Sequence, residues 1–213
     1  MKEKTYVEDI DRSIYDVKDE ERDAYKVDEG LTEAIVEQIS REKKDPPWME
    51  LFRLQALQIY NEMPVPDWGP SIEGLDMSHI VTYVRPNTKM TAKWSDVPQD
   101  INDTFERLGI PQADRKSLAV VGSQYDSELV YHNVREEGAA QGVVYTDMES
   151  ALKGEYADMV QSHFMKLVKP NDHKFAALHG AVWSGGSFVY VPPGVSVTIP
   201  LQSYFRLNAP GAG

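Results

Sequence analysis

The chain has 213 residues, enough for one or two domains at about 150 residues each. Its 22 basic and 34 acidic residues give a formal net charge of −12. This charge disfavours nucleic acid or an anionic membrane as the main partner, because both are bound by clustered lysine and arginine. The absence of cysteine excludes disulfides, thiol nucleophiles and iron–sulfur clusters held by cysteines of this chain alone. Without a signal-peptide core or an apolar run of roughly 18 residues, we expect a soluble, cytoplasmic protein with no membrane partner.

Residues 1–30 are predicted to form an acidic, partly disordered arm. Residues 1–29 contain 11 acidic and 6 basic side chains, and their apolar residues are sparse and weakly periodic. In an alternative interpretation the arm docks on a partner through its aromatic and β-branched residues, which are Tyr6, Val7, Ile10, Ile14, Tyr15 and Val17.

Residues 31–110 are predicted to form a helical N-terminal region with a long proline-rich connection. Leu31, Ile35 and Ile39 recur every four residues and predict a helix that follows Gly30 and ends at 45–47 (Asp-Pro-Pro). A second helix is expected after Pro47, and the short connection predicts an antiparallel pair that buries the second helix's apolar stripe. That stripe consists of Trp48, Leu51, Phe52, Leu54, Ile59 and Tyr60.

The connection over residues 64–98 contains five prolines, and only the piece 79–84 is predicted to be extended. Residues 99–108 then predict a short helix that is closed by Gly109 and Pro111.

Residues 111–183 predict a mixed α/β region. Strands are expected at 117–121, 128–131 and 142–145. Helices are expected at 132–140, from an N-cap at Asp147 through Leu152, at 156–168 and at 175–182.

Residues 184–213 are predicted to begin a β domain, with two short strands at 187–191 and 195–199 around a Pro-Pro-Gly turn at 192–194. Two strands alone are marginally stable. We therefore expect that the natural protein is longer than this chain, or that a second chain completes the β domain.

The five histidines do not predict a metal site. They are His79, His132, His163, His173 and His179. Only His173 and His179 are close in sequence, and a spacing of six places them on different faces of a helix, whereas zinc pairs favour a spacing of three or four.

Other candidate motifs favour non-catalytic interpretations. The acidic runs at 19–23 and 136–137 lie in polar surroundings and are expected to be solvated. The Ser184–Ser187 segment fits neither a nucleophile elbow nor a phosphate loop. The spacing of Gly186, Pro192 and Gly194 resembles the second motif of cupin barrels, but Val197 stands where a metal-binding cupin has histidine. We therefore assign no catalytic, cofactor-binding or metal-binding residue.

The segment 186–195 (GSFVYVPPGV), followed by 204–208 (YFRLN), closely resembles the SufB family of scaffolds in SUF iron–sulfur cluster assembly. Further stretches agree in order from about Leu31 to the end. They are 47–49 with 52–53, 105–110, 137–138 with 142–143, and 171–172 with 175–178.

The resemblance implies an α+β fold, in which a helical or mixed N-terminal domain is followed by the first strands of a right-handed parallel β-helix that is truncated here. Some family members have a cysteine cluster in the connection corresponding to about 83–94, which this chain lacks. The cluster ligands, and the surfaces that bind the SUF ATPase and the paralogous scaffold subunit, are implied to lie beyond Gly213. A sulfur donor protein is a further possible partner.

The resulting hypothesis is the N-terminal part of a non-enzymatic scaffold, which supplies capping or docking and no cofactor ligands. The full-length scaffold complex is expected to carry an iron–sulfur cluster, with the ATPase on another chain. The alternatives are a small enzyme or sugar-binding protein with a cupin-like β domain, and an acidic adaptor module that acts through the N-terminal arm.

Overall fold

A computed structural model describes residues 23–69, 71–86, 94–96, 99, 102–103, 106, 120–125, 128–134, 141–198 and 201–207. Its helices are α1 (Glu33–Lys43), α2 (Pro47–Glu62), α3 (Met148–Lys153), α4 (Ala157–His163) and α5 (Lys174–Val182). Its strands are β1 (Asp23–Lys26), β2 (Val84–Pro86), β3 (Val120–Tyr125), β4 (Glu128–Val134), β5 (Val144–Asp147), β6 (Ser187–Tyr190) and β7 (Leu201–Arg206). Met77–His79 and Trp94–Asp96 form 3₁₀ turns. None of the helices within these ranges is long and apolar enough to span a bilayer.

The two N-terminal helices begin and end near the predicted positions. The Thr32 side chain accepts a hydrogen bond from the Ile35 amide and caps α1, and Lys44 ends the helix in the left-handed conformation. Pro47 occupies the first turn of α2, where its missing amide hydrogen costs nothing. The helix ends at Glu62, shortly before Pro64.

The packing of α2 differs from the prediction of a simple antiparallel pair. Helix α2 packs more extensively on α5 than on α1. Gly180 permits this approach, because a Cβ atom there would lie 3.0 Å from the Ala56 Cβ. The face that α2 buries contains Met49, Arg53, Ala56 and Leu57, whereas Leu51 of the predicted stripe is 57% exposed.

Three hydrophobic clusters form the core around these helices. The first joins β1, α1 and the chain before β2, around Ile39 and Tyr83. The second joins α2 to the helices α3 and α4, around Met49 and Leu152. The third lies between α1, α2 and α5, around Val36 and Ala181. Residues 23–30, for which composition predicted an arm, therefore pack into the fold, because β1 pairs with β2 and Val27 is buried.

The described strands form three small sheets. Strands β1 and β2 are antiparallel, as are β5 and β6, and a third sheet has the order β4-β3-β7 with β3 and β7 parallel. The parallel β-helix remains a prediction.

The predicted pair of strands around the proline turn is wrong in its second member. The Pro192 carbonyl accepts a hydrogen bond from the Val195 amide, and Gly194 has a φ of +80°, as a type II turn requires. Residues 195–198 are not a strand, however, and the next strand is β7. Strand β6 pairs with β5, and β7 pairs with β3, so the observed partner of each strand comes from an earlier part of the chain and not from the residues next to the turn.

Other predicted elements need smaller corrections. The helix expected over 156–168 ends at His163, and residues 132–134, expected to be helical, belong to β4. Residues 77–79 form a 3₁₀ turn, so the extended conformation predicted for 79–84 is limited to β2 and the residues just before it. Asp147 caps α3 as expected, with its carboxylate accepting from the Ser150 amide at 2.8 Å. The described residues of the predicted 99–108 helix are helical.

Candidate functional site

A buried arginine joins α2 to the end of α5. The Nε of Arg53 donates to an Asp45 carboxylate oxygen at 2.6 Å, and its Nη1 donates to the carbonyls of Ala181 at 3.2 Å and Trp183 at 2.7 Å. The guanidinium carbon also lies 4.7 Å from the centre of the Trp183 ring. We call these four residues the Arg53 cluster.

The electrostatics of the Arg53 cluster are those of a desolvated ion pair. Both side chains are 0% exposed. Burial lowers the pKa of Arg53 from its ordinary value, and the Asp45 carboxylate opposes that shift through its charge and hydrogen bond. Within the described residues, Asp45 Oδ1 and Arg53 Nη2 have no hydrogen-bond partner. The pair therefore gives up part of its Coulomb attraction to desolvation, and its main contribution is to fix where α5 meets α2.

A second ionic contact connects the C-terminal turn of α1 to α3. Lys43 donates to the Glu149 carboxylate, and Lys153 donates to the Lys43 carbonyl. The Lys43 side chain is 2% exposed, and its ammonium lies 5.2 Å from the centre of the Tyr83 ring. Glu149 and Lys153 are partly exposed, so only the Lys43 end of this contact is buried, and the contact fixes the end of α1 against α3.

Sequence reasoning included Arg53 in a stretch that matches the family but assigned it no structural role. The signal was present as a single basic residue among apolar positions of α2, with Asp45 just before the helix begins. A charged residue on the buried face of a helix is stable only with a partner. What the sequence could not supply is the pair of carbonyl acceptors, which lie 128 and 130 residues further along the chain.

Three histidines line one surface groove of about 410 Å³. They are His163 at the end of α4, His173 at the N-cap of α5, and His179 in its last turn. The expectation that His173 and His179 lie apart is wrong, because His173 precedes the helix and helical periodicity does not apply to it. Its Nδ1 accepts from the Ala176 amide at 3.2 Å and caps α5.

His179 has a distinctive environment in the groove. Its side chain is exposed on the groove surface. The packing behind the ring lowers the pKa of His179 below its ordinary 6.5, and the positive charge of Arg53 lowers it further. His179 is therefore predominantly neutral at pH 7. Among the described residues, no group of three or more His, Asp or Glu side chains is arranged to hold a metal ion.

None of the remaining candidate residues that the structure describes is part of the groove lining. His79 is exposed, with its Nδ1 3.3 Å from the Glu29 carboxylate. Of His132, only its place in β4 is described, and the acidic runs at 19–22 and 136–137 lie outside the described residues. Val197, the position of the cupin ligand, lies in the irregular segment after the turn.

Ser187, from the segment tested as a nucleophile motif, belongs to a group of three hydroxyls. The Tyr145 hydroxyl lies 2.8 Å from Ser187 Oγ and 2.7 Å from Ser203 Oγ, and the two serine oxygens are 3.2 Å apart. These contacts connect β5, β6 and β7, which belong to two different sheets. This cluster of three hydroxyls therefore has a structural role, because it joins the two sheets.

A family model described as "SufBD protein N-terminal region" matches residues 34–203. The chain belongs to the SufBD N-terminal region family. The matched range contains the Arg53 cluster, the groove histidines and the hydroxyl group. SufBD membership therefore covers both the helices and the first C-terminal strands.

Curated relatives agree with the SufBD assignment. The chain is 47% identical over 205 residues to the iron–sulfur cluster assembly protein SufB of Bacillus subtilis, covering 96% of the chain and 44% of the relative. It is 48% identical over 185 residues to a SufBD family protein of Mycobacterium tuberculosis, covering 86% and 22%. A Staphylococcus epidermidis SufBD family protein is 44% identical over 205 residues, covering 96% and 44%. The chain thus spans less than half the length of these relatives.

Proposed function

We propose that this chain is the N-terminal part of a SufB-like scaffold subunit for iron–sulfur cluster assembly and transfer. In this proposal the ligands of the nascent cluster, which is the cargo, lie on other parts of the complex. The scaffold acts together with an ABC-type ATPase and a paralogous scaffold subunit, both of which are separate chains. The similarity to SufB of Bacillus subtilis supports the pathway.

The contribution we assign to this part is to cap and orient the β domain that follows it. The observation that carries this is the Arg53 cluster. Its carbonyl acceptors, Ala181 and Trp183, lie at the end of α5, in the last turns before the chain enters β6 at Ser187, so the guanidinium fixes the approach to the strand region against α2. A solenoid needs a terminal cap that covers its first repeat.

A chimera tests the proposed function. The chain replaces the matching segment of Bacillus subtilis SufB in cells depleted of that protein, and the activity of a [4Fe–4S] enzyme is measured. We expect activity to be restored. A chimera with Arg53→Met should restore it poorly, and one with the exposed Arg41→Met should restore it fully. Equal failure of all three chimeras, each present at normal levels, would contradict the proposal.

Reconstitution tests where the cluster ligands lie. The purified chain is incubated anaerobically with iron and sulfide, and bound iron and visible absorbance are measured. We expect no stoichiometric binding, because the chain contains no cysteine thiolate. Stable cluster absorbance on the isolated chain would place ligands here and overturn that part of the proposal.

Docking of other assembly proteins is the second candidate role, and the histidine-lined groove favours it. Deleting residues 1–110 from the full-length scaffold distinguishes the two roles. If the role is capping, the shortened protein should be insoluble. A soluble protein with normal ATPase binding and poor cluster loading would indicate docking. Hydrogen exchange tests the adaptor alternative, since an arm left unprotected with every assembly partner present is not an adaptor.

A further inference from the structure

The groove beside α5 exposes more apolar surface than a solvated loop requires. Leu167 is 97% exposed and Val168 is 59% exposed, and both line the groove. Trp68 is 75% exposed, and its ring meets His173 edge-on at 5.9 Å. Two large exposed apolar side chains therefore line the groove and a third contacts one of its histidines, a concentration of exposed apolar surface that is typical of a binding surface. We call this surface the histidine groove. It consists of the groove lining, which includes His163 and Lys166, together with the neighbouring Trp68.

The local backbone conformation keeps Leu167 and Val168 directed towards solvent. Met165 has a φ of +47°, a left-handed conformation that is unfavourable for a non-glycine residue. Its sulfur packs inward, 3.3 Å from the position that a Cβ on Gly180 would occupy. This anchor turns the chain after α4, so that Leu167 and Val168 project from the protein. The exposed pair is therefore a fixed feature of the fold.

The charge of the groove is opposite to that of the chain as a whole. Lys166 lines the groove and Lys169 lies in the same loop, in a chain of net charge −12, whereas the Lys174 ammonium donates to the carbonyls of Tyr60 and Met63 at the end of α2. The groove lining within the described residues includes Lys166 and the three histidines and no acidic side chain. Its occupant should therefore combine acidic and apolar side chains.

We propose that residues 1–22 of the same chain, the acidic arm, dock in the histidine groove. The arm has eight acidic and five basic residues, and its six aromatic and β-branched residues, Tyr6 to Val17, are interspersed among the acids. It thus carries the acidic side chains that the groove lining lacks, and apolar side chains that can pack on the exposed apolar ones of the groove. The apolar residues of the arm cover Leu167, Val168 and Trp68, and its carboxylates face the lysines.

The arm is long enough to reach the groove from its attachment at Asp23. Its 22 residues span up to about 70 Å when extended, several times the radius of gyration of about 17 Å for a compact domain of this size. Attachment in one chain also gives the arm an effective concentration on the order of millimolar, so a weak contact is sufficient to keep it bound.

A spin label tests the docking directly, because the chain contains no cysteine and Ser13→Cys creates a single labelling site within the arm. A nitroxide is attached there, and paramagnetic relaxation of the Leu167 and Val168 amides is measured by NMR. We expect strong broadening at both amides, which weakens when salt is raised because exposed charges are then screened.

Matched variants establish specificity. Leu167→Asp removes an apolar contact without burying a charge in the core, and should lower the ratio of docked to free arm about tenfold. Leu51→Asp, on the exposed side of α2, should leave the broadening unchanged. Broadening that Leu167→Asp does not alter, or that appears elsewhere and not at the groove, would overturn the proposal. So would broadening that arises only between labelled and unlabelled chains in a mixture, since the occupant would then be a second copy.

Discussion

Removing the Arg53 guanidinium is the most informative perturbation of this fold. In Arg53→Met the Asp45 carboxylate stays fully buried without its counter-ion, and the carbonyls of Ala181 and Trp183 lose their donor. Breaking a buried ion pair from one side costs about 3–5 kcal/mol. Because domains are typically stable by about 5–15 kcal/mol, we expect a loss of about a fifth or more of the free energy of unfolding.

Urea unfolding followed by tryptophan fluorescence measures this loss, since Trp183 lies against the guanidinium. Arg41→Met is the matched control. Arg41 is 64% exposed and forms an ion pair with Glu37 on its own helix, so that variant should change the free energy of unfolding by less than about 0.5 kcal/mol. Adding Asp45→Asn to Arg53→Met should recover part of the loss, because no unpaired charge is then buried. A loss below about 1 kcal/mol for Arg53→Met would refute the reasoning.

Three further predictions concern single residues. The pKa of His179 lies below 6.5 in the folded chain, so the unfolded chain binds more protons just below that pH. Stability should therefore fall as the pH drops through 6.5, and this part of the fall should be absent in His179→Gln when urea unfolding is followed by circular dichroism. Gly180→Val should cost about 1–3 kcal/mol by overpacking α2 against α5, whereas Gly69→Ala, where a Cβ meets nothing within 4 Å, should be near neutral in the same assay. Asp147→Ala should cost about 1 kcal/mol in thermal unfolding by removing the cap of α3, and Asp147→Asn less.

Each of these predictions has a contrary result. An NMR titration midpoint for His179 at or above 6.5 would contradict the effect of packing and Arg53. Equal unfolding midpoints for Gly180→Val and wild type would show that α2 and α5 do not approach as closely as described. If Asp147→Ala has the same melting temperature as the wild type, the hydrogen bond of the N-cap does not stabilise α3.

Local signals in the sequence predicted the N-terminal helices well and the strand pairing poorly. The spacing of Leu31, Ile35 and Ile39, together with the prolines after Lys44, was sufficient for α1 and the start of α2. The strand at 187–190 was found from its β-branched and aromatic residues, but its partner was not, because pairing with β5 depends on chain more than 40 residues earlier. Sequence periodicity contains no information about such distant neighbours.

The site shows the same limit. Asp45 and Arg53 are eight residues apart, yet the pair is explained only by acceptors on the far side of the fold. His173 and His179 were judged by helical spacing, although His173 is the N-cap of the helix whose last turn contains His179. Family motifs supplied the pathway, while the physical arrangement required the structure.

The separation of Arg53 from its acceptors has a consequence for synthesis on the ribosome. Arg53 can bind Asp45 soon after both emerge, but Trp183 follows 130 residues later. At a translation rate of about 5–20 residues per second, Trp183 is synthesised roughly 6–26 s after Arg53. Over that interval the nascent helices α1 and α2 expose the face that α5 later covers. During this interval a chaperone that recognises apolar helices could bind the exposed face of α1 and α2, before α5 is available to cover it.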